Sequence, residues 1–73
     1  MRQKTRTVLR LRQLRRLREM TQAELAKRSG LTKAAVCDIE RGRRGPSLKT
    51  AKALAAVFRE PVETLFEHVE IAS

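Results

Sequence analysis

Thr21–Ile39, TQAELAKRSGLTKAAVCDI, reads as two short helices joined by a tight turn, and its local chemistry decides the fold. Thr21 with Glu24 three residues on is a capping box, in which hydroxyl and carboxylate satisfy backbone donors left free at a helix start. A helix therefore begins near Gln22. It ends at Ser29-Gly30, because the residue past a helix C-terminus commonly takes left-handed dihedrals that glycine adopts without a Cβ clash. Thr32 caps the second helix. Ala26 offers only a methyl group where that helix must cross close over the first, while Leu25, Leu31, Val36 and Ile39 supply the apolar contacts.

Two helices about such a turn have the spacing of a helix-turn-helix, whose second helix enters the DNA major groove. Outward from that segment, LRQLRRLREMTQAELAKRSGLTKAAVCDIERGRRGPSLKTAKALAAVF and then PVETLF, from Leu11 to Phe66, resemble the Cro and lambda-repressor family with no insertion needed. TQAELA, GLT, IERG and PSL stand in register. The resemblance implies an all-α fold, a compact five-helix bundle containing the helix-turn-helix. It also implies a sequence-specific, double-stranded DNA-binding transcriptional regulator, a dimeric repressor of prokaryotic or phage type. The alternative within that class is an antitoxin or restriction-modification controller whose C-terminal helix docks a protein partner. Readings from other classes are a protein-interaction module, or a basic amphipathic chain that binds RNA or anionic membrane.

The 73 residues hold one domain, whose single core is worth roughly 3–5 kcal/mol net. The expected layout is a basic arm over 1–6, a five-helix core over 7–66 and a C-terminal extension over 67–73. One cysteine excludes an internal disulfide and, with one histidine, leaves no plausible zinc site. No cofactor is expected, and a reducing cytoplasm is. No apolar run approaches the roughly 18 residues of a membrane span. The first 18 residues carry eight basic and no acidic side chains, as an organellar transit peptide would. Val8, Leu11 and Leu14, however, share one helical face that the core needs. Nor can one His and one Cys assemble a nucleophile, a base and an orienting group, so the chain does not read as an enzyme.

Charge divides the chain. Residues 1–52 carry a balance of +12 and residues 53–73 one of −3, so a basic body faces a polyanion and a mildly acidic end faces elsewhere. The first helix is expected over Thr7–Arg18, with Glu19 standing where the family often has glycine or asparagine. The second runs over Gln22–Ser29 and the third over Lys33–Arg41. Gly42-Arg43-Arg44-Gly45 forms a loop. Ser47 caps the fourth helix, whose buried stripe is Leu48, Ala51, Leu54, Ala55 and Phe58. Pro61 opens a fifth, in whose first turn its missing N–H costs nothing, and His68 lies near that helix's negative end.

The start of the second helix, with free N–H groups and a partial positive charge, is a phosphate site, and the family's matching residue places Gln22 on it. Thr32, Arg43 and Arg44 complete the expected phosphate contacts, with Lys49 and Lys52 beyond. By resemblance, Lys33, Ala34, Cys37 and Asp38 face the bases. Many relatives carry amide, hydroxyl or guanidinium groups there. Ala34 offers a methyl suited to thymine, and Cys37 a weak thiol that stands where serine is common. Lys33 can reach guanine O6 and N7. Asp38 can accept from cytosine N4, or pair with Arg41 one turn on, the reading favoured here. The resemblance also implies an inward ion pair between Arg15 and Glu40. Val62, Leu65, Phe66, Val69 and Ile71 exceed what a terminal helix needs to cover a small core, so Val62, Leu65, Phe66 and Val69 are expected at a homodimer interface. Arg2, Lys4 and Arg6 form an arm that tracks the duplex or stays disordered.

Overall fold

In the computed structural model, which describes residues 5–72, five helices are framed by two short strands. The order is β1 (Thr5–Leu9), α1 (Arg10–Leu17), α2 (Gln22–Ser29), α3 (Lys33–Glu40), α4 (Leu48–Phe58), α5 (Val62–Leu65) and β2 (His68–Ala72). Every helix sends at least one wholly buried side chain to one core: Leu11, Leu25, Val36, Leu54, Phe58 and Leu65. At roughly 1.5–3 kcal/mol per buried side chain of this size, that core is the main term holding the helices together. Leu31, Val62 and Phe66 pack against it half-buried.

The start signals act as the sequence demands. The Thr21 hydroxyl accepts from Glu24 N–H at 3.0 Å while Glu24 Oε1 accepts from Thr21 N–H at 3.0 Å, closing the capping box. Thr32 and Ser47 hydroxyls accept from Ala35 and Thr50 N–H at 3.0 and 3.2 Å. α1 to α4 end alike. In each, the N–H groups of two residues past the helix turn back onto its last carbonyls: Glu19 and Met20, Gly30 and Leu31, Gly42 and Arg43, Arg59 and Glu60. The pivot has φ 74 at Gly30 and 73 at Gly42, where glycine carries no penalty, but 52 at Glu19 and 55 at Arg59, where a Cβ does. The Arg59 end is held from outside. Arg18 donates to the Val57 and Phe58 carbonyls at 3.4 and 3.2 Å, its guanidinium 5.0 Å from the Phe58 ring centroid.

The two strands are the main departure from the expected bundle. β1 and β2 pair antiparallel, with Arg6 opposite Ile71, Thr7 opposite Glu70, Val8 opposite Val69 and Leu9 opposite His68. Residues 7–9 were expected to open the first helix, which begins instead at Arg10. Thr7 and Val8 are β-branched and meet a β-branched partner segment in 68–72, so the pleated arrangement buries Val8 from a strand rather than from a helical face. Arg10 seals the junction, its N–H donating to Glu67 O at 2.8 Å and its side chain pairing with the Glu67 carboxylate at 3.3 Å. α5 is a single turn with Pro61 as its N-cap, so His68 lies in β2 and not at a helix end. Leu48, expected in the buried stripe of α4, is exposed at its first position. Arg2 and Lys4 lie outside the described residues.

Candidate nucleic-acid interface

α2 and α3 are joined through Gly30, and Leu31 N–H donates to Ala26 O at 2.8 Å, which fixes how the turn leaves the first helix. Ala26 is buried, as close approach of α3 requires. The inward face of α3 carries Val36 and Ile39, both buried, and Glu40, whose side chain is only 3% exposed. Arg15 reaches Glu40 from α1 with both arms of its fork, Nε to Oε2 at 2.7 Å and Nη2 to Oε1 at 3.0 Å, while its Nη1 donates to Met20 O at 2.7 Å. Gln22 adds a third bond to the carboxylate, Nε2 to Oε1 at 3.1 Å. A buried carboxylate so partnered ties α3 to α1 and to the start of α2 at once.

The side-chain N–H of Gln22, expected to reach phosphate, is thus directed at Glu40. Of the main-chain N–H groups at the start of α2, that of Glu24 is taken by the Thr21 hydroxyl, and those of Gln22 and Ala23 have no intrahelical acceptor. The outward face of α3 shows Lys33 and Ala34 exposed, with Cys37 and Asp38 half-buried. Asp38 does not pair with Arg41. Its nearest cation is Arg44, Nη2 to Oδ2 at 3.9 Å, because the chain turns sharply at Gly42 and Arg43 N–H bonds back to Asp38 O at 2.9 Å. That turn swings Arg44 toward Asp38 while Arg43 and Arg44 both remain exposed. Thr32, at the start of the same helix, is exposed with its hydroxyl accepting from Ala35 N–H. Lys49 and Lys52 are exposed on α4.

At the other end of the chain, Leu65 is fully buried in the protomer and so is not available to a dimer partner, whereas Val62, Phe66 and Val69 are half-buried. Val69 belongs to β2, not to the last helix.

One feature escaped the sequence reading. Arg6 from β1, Arg12 and Arg15 from α1, and Arg41 at the end of α3 gather with Gln22 and Glu40 around a cavity of about 370 Å³. Burial first, and then the charges of Arg6, Arg16 and Arg15, push the Arg12 guanidinium below its ordinary value, with Glu40 opposing them. Those residues come from four elements, and only the observed strand β1 brings Arg6 to them.

A model of the helix-turn-helix family matches residues 11–65. An uncharacterized HTH-type transcriptional regulator of Bacillus subtilis (strain 168), RghRB, is 48% identical over 56 residues, 75% of this chain and 40% of that protein. Another, from Archaeoglobus fulgidus, is 40% identical over 57 residues, covering 78% of this chain and 80% of its own length. This chain thus spans less than half of the first relative and most of the second. Among solved structures, the restriction-modification controller protein C.AhdI from Aeromonas hydrophila superposes with a TM-score of 0.73 at 38% identity, covering 78% of this chain and 86% of that one. With the match running from α1 through α5 and the α2–α3 geometry intact, the chain belongs to the helix-turn-helix family of the Cro and lambda-repressor type, a family of DNA-binding transcription regulators.

Proposed function

We propose that the chain is a sequence-specific repressor that binds double-stranded DNA in the cytoplasm as a homodimer. The observation that carries this reading is α3: its inward face is locked by Arg15 and Gln22 onto Glu40, its outward start leaves Lys33 and Ala34 exposed, and Arg43 and Arg44 are exposed in the loop past its end. In this reading Lys33, Ala34, Cys37 and Asp38 face the base edges. Thr32, Arg43, Arg44 and the main-chain N–H groups at Gln22 meet phosphates. Val62, Phe66 and Val69 supply the two-fold contact, which sets two recognition helices about 34 Å apart for half-sites one turn apart. The described residues contain no helix long and apolar enough to cross a membrane.

The test is equilibrium binding to duplexes selected from a random pool, over a salt series, together with sedimentation of free and bound protein. Affinity should fall by about 0.9 log unit per log unit of salt for each neutralised phosphate. Salt-independent binding, or a strict monomer at high concentration with one subunit per site, would overturn the polyanion and dimer parts respectively. A second reading, restriction-modification control, draws on the likeness to C.AhdI. It predicts selected sites lying upstream of a restriction gene.

A further inference from the structure

The cavity that gathers Arg6, Arg12, Arg15 and Arg41 lies outside the groove-facing surface, and the ion pairs of the described residues leave it strongly positive. Arg15 is matched by Glu40, but the other pairs are Arg10 with Glu67 and Arg44 with Asp38, so none among the described residues neutralises Arg6, Arg12 or Arg41. Glu40, the only carboxylate among the described residues that line the cavity, already accepts two bonds from Arg15 and one from Gln22. Three guanidiniums from three elements therefore converge on solvent. Their mutual repulsion costs the folded state, the kind of local cost that proteins retain where a site needs it. The planar guanidinium fork matches the oxygens of a phosphate, and the cavity abuts Gln22, the first residue of α2.

We propose that this cavity is a phosphate site in which Arg6, Arg12 and Arg41 grip one phosphate of the DNA backbone beside the start of α2. The inference rests on the DNA-binding reading above and deepens it. It makes β1 and α1, neither of them part of the helix-turn-helix, direct participants in docking. β1 is ordered by pairing with β2, so the terminal sheet would serve to place Arg6 at the backbone.

The experiment uses the full chain and a labelled mixed-sequence duplex, with binding followed by fluorescence anisotropy from low to physiological salt. Arg12→Gln and Arg41→Gln are compared with Arg43→Gln on the loop and with Arg28→Gln on the exposed far end of α2. Arg12→Gln and Arg41→Gln should each weaken binding by about tenfold or more, as loss of a charge-assisted bond implies, and lower the salt slope by about 0.9 per subunit. Arg12→Lys, which keeps charge but not the fork, should keep most of the slope and lose several-fold in affinity. Removing a repelling cation should leave the melting temperature of Arg12→Gln equal or raised, whereas a purely structural arginine would lower it.

Three results overturn the proposal. The first is a slope unchanged by Arg12→Gln and Arg41→Gln but flattened by Arg43→Gln, which leaves DNA binding standing. The second is an equal loss in Arg28→Gln, which reduces the effect to net charge. The third is a lowered melting temperature in Arg12→Gln with native affinity after correction for folded protein. If the native chain itself shows no salt-dependent duplex binding, the function reading fails instead. Tripolyphosphate titrated against the arginine Nε–H resonances separates the source: saturable shifts at Arg12, with an unchanged DNA slope, would assign the site to a free phosphate ligand and overturn the duplex assignment.

Discussion

On its inward face α3 buries Val36 and Ile39 and anchors Glu40 by three hydrogen bonds, whereas on its outward face only Lys33 and Asp38 carry groups that bond a base edge well. The two faces share a backbone but divide the work unequally. Contacts from α1 and α2 set the orientation of α3 and hold it rigidly in place. In the proposed function its readout rests on one exposed lysine and one half-buried aspartate already within 3.9 Å of Arg44. A rigid frame with few readers implies that much of the sequence preference comes from how cheaply the DNA deforms at base pairs the protein never touches.

Breaking the inward face should have the largest effect. Glu40→Ala leaves Arg15, 12% exposed, with a buried charge and only the Met20 carbonyl for company. Removing one partner of a buried pair costs about 3–5 kcal/mol, which matches the whole net stability of a domain this small. Far-UV circular dichroism should show Glu40→Ala largely unfolded at room temperature. Arg15→Met combined with Glu40→Leu, which removes both charges and keeps volume, should recover most of the melting temperature. If Glu40→Ala melts within a few degrees of the native chain, the lock on α3 is not what holds it.

Changing the outward face should leave stability alone and alter selectivity. Lys33→Ala should reduce the ratio of specific to non-specific affinity by more than tenfold, within the roughly 1–3 kcal/mol of one good base contact. Arg44→Ala should weaken both affinities about equally, since phosphate carries no sequence information. Asp38→Ala sharpens the point: a fall in the ratio makes Asp38 a reader, and no change leaves it as the partner of Arg44. An unchanged ratio in Lys33→Ala together with a collapsed ratio in Cys37→Ala would reassign the groove-facing residues.

The same division explains what the sequence made legible. The bounds of α2, the starts of α3 and α4, and the turn at Gly30 depend on residues within four positions of one another, and each was readable from its own cap or glycine. β1 and β2 were not. Neither strand's local preference suffices by itself, and each is specified by the other some sixty residues away, so Thr7-Val8 looked like the continuation of an amphipathic helix. The arginine cavity was missed for the same reason, because Arg6 joins Arg12 and Arg41 only once that pairing exists. Asp38 was assigned to Arg41 by helical spacing, but the turn at Gly42 brings Arg44 within reach instead.

A smaller effect is expected where α1 hands over to α2. Glu19 sits at φ 52, a left-handed conformation that costs a side-chain residue about 1–2 kcal/mol and glycine almost nothing. Glycine returns part of that gain through a more flexible unfolded chain, about 0.4–1 kcal/mol. Glu19→Gly should therefore stabilise the protein by roughly 0.5–1 kcal/mol, read as a higher urea midpoint with an unchanged slope. Because Glu19 lies on the link between α1 and α2 and not on α3, the ratio of specific to non-specific affinity should not move. A lower midpoint would mean that the Glu19 side chain contributes more than its strained backbone costs.

The smallest effect belongs to the start of α2, which lies behind the inward face through Gln22. Thr21 holds the Glu24 carboxyl below the usual carboxylate range, first through the hydrogen bond its backbone N–H donates at 3.0 Å and then through its side chain. A carboxyl whose folded value is depressed contributes stability above its unfolded value, about 4.3, and loses it as pH falls through the folded value. The native chain should accordingly lose its advantage over Glu24→Gln as pH drops below about 4, while above that range the gap stays constant. Glutamine can still accept from Thr21 N–H, so the gap is small even at neutral pH. Thermal melts of the two proteins across acidic pH measure it, and the Thr21 amide resonance reports the same titration locally. A gap that widens on acidification would show that Glu24 is repelled where it stands, and that the helix start relies on the Thr21 hydroxyl alone.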